Sequence, residues 1–476
     1  MKNTDIFKID PNALQAISSK LAWFYRIIPS GNANGVLHCF IDREKYKDRI
    51  EDEIELFLGK KILLESVDSN TIEDNLQIYF PENTKDTRQQ NVYYHGDADS
   101  FLTHLISEAK SLKSSDIHVE IYEEKCRVRI RIDGVLVQRY ILDKKQYPSL
   151  VNKIKVIANL DIAEKRLPQD GRILFEFKDE KFDIRVSVLP TLYGEKVVLR
   201  LLNNDTANIE LTSLGFSDDD LKKYMESTKK RSGIILISGP TGSGKTTTLY
   251  ATLKLLNNDE RNITTIEDPI EYTLEGVNQV QLKENIGFNF SAALRTFLRQ
   301  DPNIIMVGEI RDVDTANMAI RTALTGHLVL STIHTNSAWG IISRLIDMNI
   351  PPFLIANTLN MAVAQRLVRL LCPHCKIESD SHGIVYPQKF KPYKAISAQY
   401  IARGCPECHN TGYKQRKAIY EVIIIDEELA ELIKSGSIST PEMLEQKGIK
   451  TLSHNAFELF EKGETSLEEI YPLLMN

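Results

Sequence analysis

A glycine-rich loop placed directly after a short apolar run could bind phosphate. The run is Ile234–Ile237, and a helix-forming stretch begins at Thr247. Between them the chain fits the pattern G-x-x-x-x-G-K-[ST], with Gly239, Pro240, Thr241, Gly242, Ser243, Gly244, Lys245 and Thr246. Backbone N–H groups of such a loop and the following helix N-terminus face a phosphate. We predict that Lys245 meets the β- and γ-phosphates, that Thr246 ligates Mg²⁺, and that the binding set extends to Thr247.

A carboxylate follows a second apolar run. Glu309 comes after Ile304–Val307 and Gly308. Doubly wound folds bind ligands at the carboxyl edge of the sheet, and parallel strands end together at that edge. We therefore predict that Glu309 orients the attacking water or holds Mg²⁺ through one. The alternative is an exposed glutamate at a strand end.

Three carboxylates crowd together after a third apolar run, Ile263–Ile266. They belong to Glu267, Asp268 and Glu271. Such crowding is unfavourable unless a metal ion or arginines offset the negative charge. The pattern predicts a role beside the phosphate, and an ordinary acidic loop is the alternative.

A histidine and two arginines are further candidates. His334 follows the apolar run Leu328–Ser331, although a lone histidine is more often structural than functional. Arg295 and Arg299 are four residues apart and share one face of a predicted helix. They suit a phosphate or the acidic segment, and surface salt bridges are the alternative.

Strictly alternating segments predict a sheet with one basic face. Arg185 lies on the polar face of Phe182–Leu189, and Lys196–Leu202 carries Arg200. A solvated basic surface is the simplest interpretation of either arginine.

Two C-x-x-C pairs indicate a metal site. The pairs are formed by Cys372, Cys375, Cys405 and Cys408. Four thiolates suit tetrahedral Zn²⁺, which would help to order a segment with little core of its own. Two unrelated or redox-active pairs are the alternative.

Composition limits the protein class. The chain has 476 residues, more than one hydrophobic core usually supports, so we predict two or three domains. No apolar run approaches the ~20 residues that span a bilayer, and the start lacks a signal peptide, which predicts a cytoplasmic protein. The net charge of −6 offers no general attraction to nucleic acid, so none is expected as a partner.

The pattern of elements changes along the chain. A small mixed domain is predicted for residues 1–90, with helices at 12–26 and 46–58, a strand at 35–41 and a polar linker at 81–97. A helix and several strands follow up to about residue 204. Beyond it, helices alternate with short, wholly apolar strands, which is typical of an α/β fold with a parallel sheet. Three helices are predicted in the tail, at 427–434, 440–447 and 452–462.

Ordered blocks of sequence across residues 100–476 resemble the cytoplasmic ATPases of type II secretion and type IV pilus assembly, the GspE/PilB class. The blocks are, in chain order, Ser115–Glu120, Arg131–Leu136, Arg166–Arg172, Gly194–Lys196, Thr265–Glu271, Leu298–Pro302, Val307–Asp312 and Ser331–Asn336.

This resemblance implies a fold and a mechanism. It implies a PAS-like α+β domain at 98–204 and a P-loop RecA-like ATPase domain at 205–476, which includes the tetracysteine zinc module at 366–415 and a helical tail at 416–476. It further implies a hexameric ring that hydrolyses ATP between subunits. Arg185 and Arg200 would then reach a nucleotide across a boundary, Arg295, Arg299 and His334 would sense it, and Glu267, Asp268 and Glu271 would form the acidic box.

The same resemblance implies partners at a membrane. These are an inner-membrane platform protein and a recruitment protein that binds residues 1–90, so membrane association would be peripheral. The family's extension motors carry a tetracysteine module and its retraction motors lack one, which favours assembly. A retraction motor, a nucleic-acid translocase on the same core and a nucleotide-gated adaptor without turnover remain as alternatives.

Overall fold

The computed structural model describes residues 7–475 except 8, 10–12, 14, 15, 18, 34, 35, 48, 49, 59, 60, 81–91, 94–97, 178, 179, 203–208, 381–383, 397, 437–443 and 445. The chain divides into two compact units, one formed by residues 1–92 with 382–385 and the other by the rest. No helix among the described residues is both long and apolar enough to cross a bilayer.

The described residues of the first unit form a three-stranded sheet and several helices. Its strands are β1 (Ile27–Ala33), β2 (Val36–Asp42) and β3 (Lys61–Val67), and its helices are α1 (Ser19–Tyr25), α2 (Ile50–Leu58) and α3 (Ser69–Tyr79). Strand β2 is central, antiparallel to β1 and parallel to β3. The helix predicted at 12–26 is described as a helix from Ser19, and part of its start lies outside the described residues, as does most of the predicted linker.

The second unit begins with a largely antiparallel sheet of order β4-β7-β6-β5-β10-β9-β8. Its strands are β4 (Val92–Tyr93), β5 (Asp116–Ile121), β6 (Cys126–Ile132), β7 (Val135–Leu142), β8 (Gln169–Phe177), β9 (Glu180–Thr191) and β10 (Gly194–Leu201). Helices α4 (Ala98–Ser111) and α5 (Tyr147–Ile157) contribute to the same hydrophobic core. Alternation explains the packing, because Val128 and Ile130 are buried while Arg127 and Arg129 lie on the opposite, polar face.

A second seven-stranded sheet has the order β13-β12-β14-β15-β11-β16-β19. Its strands are β11 (Gly233–Ser238), β12 (Ile263–Glu267), β13 (Asn278–Gln281), β14 (Ile304–Val307), β15 (Leu328–Ile333), β16 (Leu359–Leu371) and β19 (Tyr413–Ile424). The helices connected to it are α6 (Asp218–Thr228), α7 (Lys245–Leu256), α8 (Phe290–Phe297), α9 (Val313–Leu324), α10 (Trp339–Asp347) and α11 (Pro352–Thr358).

The four apolar runs singled out in the sequence are β11, β12, β14 and β15. Every residue in these four strands is buried, as expected for strands covered on both faces. They pair in parallel, so their carboxyl ends lie at one edge of the sheet. The predicted α/β fold is therefore confirmed.

A small hairpin and further helices lie among the remaining described residues. The hairpin is β17 (Lys376–Asp380) with β18 (Ala398–Ala402), inserted between β16 and β19. The tail contains α12 (Glu427–Lys434), α13 (Leu452–Glu461) and α14 (Leu467–Leu474). The helix predicted at 440–447 lies mostly outside the described residues. The predicted domain boundaries remain a prediction.

Candidate functional site

The glycine-rich loop joins β11 to α7 and wraps tightly. Gly239, Gly242 and Gly244 have φ of +151°, +81° and +87°, a region that side chains disfavour. A Cβ on Gly239 would lie 2.5 Å from the carbonyl oxygen of Gln365, and one on Gly244 would lie 2.9 Å from its Nε2 atom. The loop therefore requires glycine at both positions because β16 supports it closely.

Two polar side chains of the loop suit a phosphate. The buried Lys245 donates from Nζ to the carbonyl oxygens of Gly239 at 2.7 Å and Pro240 at 3.1 Å. Burial lowers the pKa of Lys245, and the charge of Glu309 opposes this. Ser243 Oγ is buried with no hydrogen-bond partner among the described residues. The loop thus offers a cation and an unsatisfied hydroxyl, while the predicted ligands Thr246 and Thr247 lie in the first turn of α7.

Glu309 lies at the same edge, just beyond β14. Arg311 Nη2 is 2.5 Å from Glu309 Oε1, and His334 Nε2 is 3.4 Å from Glu309 Oε2. Burial acts to raise the pKa of Glu309, but the hydrogen bond and charge of Arg311, with a contribution from His334, lower it below its usual value. Glu309 is therefore a carboxylate at neutral pH, as a residue that positions water requires.

Hydrogen bonds to β15 fix the segment that carries Glu309. Thr332 Oγ1 donates to the carbonyl oxygen of Gly308 at 2.8 Å, and the N–H of Ile310 donates to the carbonyl oxygen of Thr332 at 2.8 Å. These bonds bring Glu309 and His334 together.

The three carboxylates at the end of β12 and just after it do not meet at one point. Glu267 is buried and accepts hydrogen bonds from Tyr250, Thr265 and Gln279, and burial raises its pKa. Asp268 Oδ2 lies 3.8 Å from Arg311 Nη1.

The third acid of this segment pairs with a predicted site residue. Glu271 Oε2 lies 3.7 Å from Arg185 Nη1, and Arg185 Nη2 donates to the carbonyl oxygen of Ile270 at 2.9 Å. Because the acids have separate partners, the crowding expected from the sequence is relieved. Arg185 reaches the carboxyl edge of the parallel sheet, where the glycine-rich loop and Glu309 lie, from β9 of the antiparallel sheet.

The other predicted arginines lie elsewhere. Arg200 Nε pairs with Asp116 Oδ1 at 2.9 Å within the antiparallel sheet, and its side chain is 60% exposed. Arg295 is in the last turn of α8, but Arg299 lies beyond the helix end and donates to the carbonyl oxygen of Arg295 at 3.0 Å. The shared helical face predicted for Arg295 and Arg299 is therefore wrong, because the helix ends at Phe297.

The four cysteines of the two C-x-x-C pairs come together. Their sulfur atoms all lie within 4.8 Å of one another. Sulfur separations are 3.9 Å for Cys372–Cys405, 3.7 Å for Cys375–Cys408 and 3.7 Å for Cys405–Cys408. A tetrahedral Zn²⁺ with Zn–S bonds of ~2.3 Å places its sulfur ligands about 3.8 Å apart. The four thiols thus fit a zinc ion and are too far apart for disulfides.

Three further residues at the carboxyl edge of the parallel sheet were not singled out by sequence reasoning. Arg311 follows Glu309 by two positions in a block that carried the resemblance. Gln365 accepts a hydrogen bond from Thr248 at 2.9 Å, and Arg366 donates to the carbonyl oxygens of Gln365 and Asn336, both at 2.9 Å. Gln365 and Arg366 lie far along the chain from the glycine-rich loop, and only the pairing of β16 with β11 brings them to it.

Comparison with known proteins finds one family that covers most of the chain. The family described as type II/IV secretion system protein matches residues 95–472. The type IV pilus assembly ATPase PilB of Myxococcus xanthus is 45% identical over 377 residues, covering 77% of this chain and 66% of the relative. The type II secretion system protein E of Pseudomonas aeruginosa is 48% identical over 349 residues, with 70% and 66% covered. The chain thus spans slightly less than two thirds of the length of these two relatives.

A further relative also covers the N-terminal part. The type II secretion system protein E of Xanthomonas campestris is 36% identical over 484 residues, covering 96% of this chain and 84% of the relative. Among solved structures, the pilus retraction motor PilT with bound ADP has a TM-score of 0.53 at 27% identity, covering 77% of this chain and 95% of PilT. The Legionella pneumophila ATPase DotB has a TM-score of 0.59 at 21% identity, covering 79% and 95%, and supports the fold alone.

Proposed function

Because the chain belongs to the type II/IV secretion system protein family, we propose that it is an ATPase motor whose ATP hydrolysis drives assembly of a pseudopilus or type IV pilus. One observation carries the proposal. A glycine-rich loop with a buried lysine and an ionised Glu309 lie at the same edge of a parallel sheet, close enough for the charges of Lys245 and Glu309 to interact.

The chemistry follows from the groups at that edge. The N–H groups of the loop, Lys245 and Ser243 hold the β- and γ-phosphates of ATP. Glu309 accepts a hydrogen bond from the attacking water and aligns it with the γ-phosphorus. Arg311 keeps Glu309 ionised and in place. Phosphoryl transfer depends mainly on such positioning and charge stabilisation, so the protein need not form a covalent bond to the phosphate.

Magnesium is proposed to bind beside the same loop. Thr246, at the first turn of α7, and the carboxylates of Glu309 and Asp268 would hold it, the latter two through water. When bound, Mg²⁺ neutralises the charge that develops on the phosphate oxygens. Glu267 is given a positioning role, since it is buried against Tyr250 behind this edge.

Arginines are proposed to complete the site within a hexameric ring. Arg185 and Arg200 lie opposite each other in the register of β9 and β10. On this polar sheet face, among the described residues, five cations share only two acids, Glu120 and Asp116; the cations are Arg127, Arg129, Arg131, Lys196 and Arg200. Contact of that face with the nucleotide of a neighbouring subunit would stabilise transition-state charge as an arginine finger does. Arg295, Arg299 and His334 would report whether the nucleotide is present.

The remaining regions are proposed to follow the family's organisation. Residues 98–204 form a PAS-like domain, and residues 205–476 form the RecA-like ATPase domain with its zinc module at 366–415 and helical tail at 416–476. Zinc held by the four cysteines would order the module. Residues 1–90 would bind a recruitment protein, which places the motor at the cytoplasmic face of the inner membrane beneath an assembly platform protein.

Phosphate release by the purified protein tests the proposal. Lys245→Ala removes the buried ammonium and should lower turnover by at least about 100-fold. Lys254→Ala is the matched control, because Lys254 is an exposed lysine on the same helix. Equal turnover in wild type and Lys245→Ala would reject the assigned site, and absence of turnover in the wild type would favour a nucleotide-gated adaptor.

A further inference from the structure

The buried carboxylate of Glu421 joins two helices that are distant in the sequence. Glu421 lies on β19 and is 3% exposed. Its Oε1 accepts a hydrogen bond from the N–H of Ala338 at 2.8 Å, directly before α10. Its Oε2 accepts from the N–H of Leu452 at 3.1 Å, at the start of α13. One side chain therefore caps the N-termini of both helices, each of which has unpaired N–H groups there.

The first of these helices begins at the nucleotide edge, the carboxyl end of the parallel strands where the glycine-rich loop and Glu309 lie. Only a few residues separate Ala338 from His334, which contacts Glu309. The intervening carbonyl oxygen of Asn336 accepts a hydrogen bond from Arg366, whose guanidinium packs against the glycine-rich loop: a Cβ on Gly239 would lie 3.1 Å from Arg366 Nη1. A shift of this segment would therefore move an N–H group that Glu421 holds.

The second helix ends at the cysteine module. Lys376 donates to the carbonyl oxygen of Gly463 at 2.9 Å, and the N–H of Leu371 donates to that of Glu464 at 2.8 Å. Thr465 Oγ1 donates to the carbonyl oxygen of Arg369 at 2.8 Å. These bonds fix the end of α13 beside Cys372, so the helix spans about 15 Å between the cysteine module and Glu421.

We propose that Glu421 is a positioning residue that couples the nucleotide edge to α13 and the cysteine module. When the segment between His334 and Ala338 moves, the hydrogen bond from Ala338 to one carboxylate oxygen of Glu421 changes. Because the carboxylate is rigid, its other oxygen also moves, and the hydrogen bond from Leu452 changes with it. A glutamine offers only one acceptor oxygen, and its amide nitrogen cannot accept a hydrogen bond, so it cannot cap both helices. The inference rests on the proposed nucleotide binding.

Amide hydrogen exchange of the full chain, with and without Mg²⁺ and the slowly hydrolysed analogue ATPγS, tests this coupling. The variants are Glu421→Gln and, as a matched control, Glu458→Gln, which changes an acid on α13 that pairs with Lys450. We expect the analogue to slow exchange in the first turn of α13 on the order of tenfold in wild type and Glu458→Gln, the effect of one hydrogen bond. In Glu421→Gln this response should be lost although the glycine-rich loop is still protected.

A second variant removes the donor instead of the acceptor. Leu452→Pro deletes the N–H that Glu421 holds at the first helical position, where proline is tolerated after the extended Thr451. Leu452→Pro should abolish the response of α13 to the analogue, as Glu421→Gln does. It should also lower kcat more than it changes KM, which a purely structural role of this hydrogen bond would not do.

Two outcomes would overturn the coupling: an α13 response in Glu421→Gln equal to that of wild type, or no α13 response in wild type despite protection of the loop. Absence of loop protection in wild type would overturn the proposed nucleotide binding itself, and the coupling with it.

Discussion

Arg311 Nη2 lies 2.5 Å from Glu309 Oε1. The two residues are two positions apart in the segment that follows β14. The arginine also lies 3.8 Å from Asp268, which follows the neighbouring strand β12. It thus connects the acids at the ends of two parallel strands. Because the carboxylate of Glu309 is partly buried, this positive charge decides its protonation state.

Replacing Glu309 should separate chemistry from binding. Glu309→Gln keeps the shape but cannot hold the attacking water as a carboxylate does, so we expect turnover to fall about 100-fold or more. Affinity for ADP should stay within about threefold, because the phosphate loop is unchanged. Steady-state phosphate release and calorimetric ADP binding measure the two quantities. Glu260→Gln, an exposed acid before β12, is the control, and wild-type turnover in Glu309→Gln would contradict the assignment.

Arg311 should set the acid limit of activity. The pKa of Glu309 lies below its usual value of 4.5. The carboxylate therefore keeps its charge at and above pH 4.5, and loses it only as the pH falls through the lowered pKa. Arg311→Gln removes the larger lowering contribution and leaves that of His334, while burial still raises the pKa of Glu309, so the acid limb of kcat/KM should move to higher pH. The pH profiles of Arg311→Gln and of Arg321→Gln, an exposed control in α9, test this. An unchanged acid limb in Arg311→Gln would count against the pairing.

Arg185 should act on a neighbouring subunit. Arg185→Ala is expected to lower turnover on the order of a thousandfold, as loss of an arginine finger does. Mixing it with Lys245→Ala subunits should restore activity above the mean of the two variants, because each supplies what the other lacks. Arg172→Ala, which sits opposite Arg185 in the sheet register and pairs with Asp183, is the control. No recovery in the mixture would place the action of Arg185 in its own chain, where it contacts Ile270.

The cysteine cluster should hold one zinc ion per chain. Metal analysis of wild type is expected to give about one equivalent, and Cys405→Ser should lose most of it, since a structural zinc site is closed by four ligands. Cys39→Ser, which changes a buried cysteine of the first unit, should retain the metal. Equal zinc content in wild type and Cys405→Ser would contradict the assignment.

The strands and the phosphate loop could be predicted because their signals are local. The strands β11, β12, β14 and β15 are continuous apolar runs, and the loop pattern lies between a strand and a helix, which leaves few other interpretations. Parallel pairing then places Glu309 beside the loop without any knowledge of side-chain contacts.

Other parts of the site depend on contacts that the sequence does not reveal. β12 is buried on both faces, so the pattern could not show that Glu267 turns inward to Tyr250. Gln365, Arg366 and Glu421 reach the edge only through the pairing of β16 with β11 and β19, across long sequence separations. Arg299 was expected on the same helix as Arg295, because Leu298 and Arg299 continue a helical pattern that ends in the structure at Phe297.

Calorimetric titration of the purified chain with ATPγS and with ADP, in the presence of Mg²⁺, tests the central claim most directly. Wild type should bind both nucleotides, and Lys245→Ala should bind them at least about tenfold more weakly because a charge-assisted contact to phosphate is lost. Binding of neither nucleotide by a folded wild-type chain, or equal affinity in Lys245→Ala, would contradict the account.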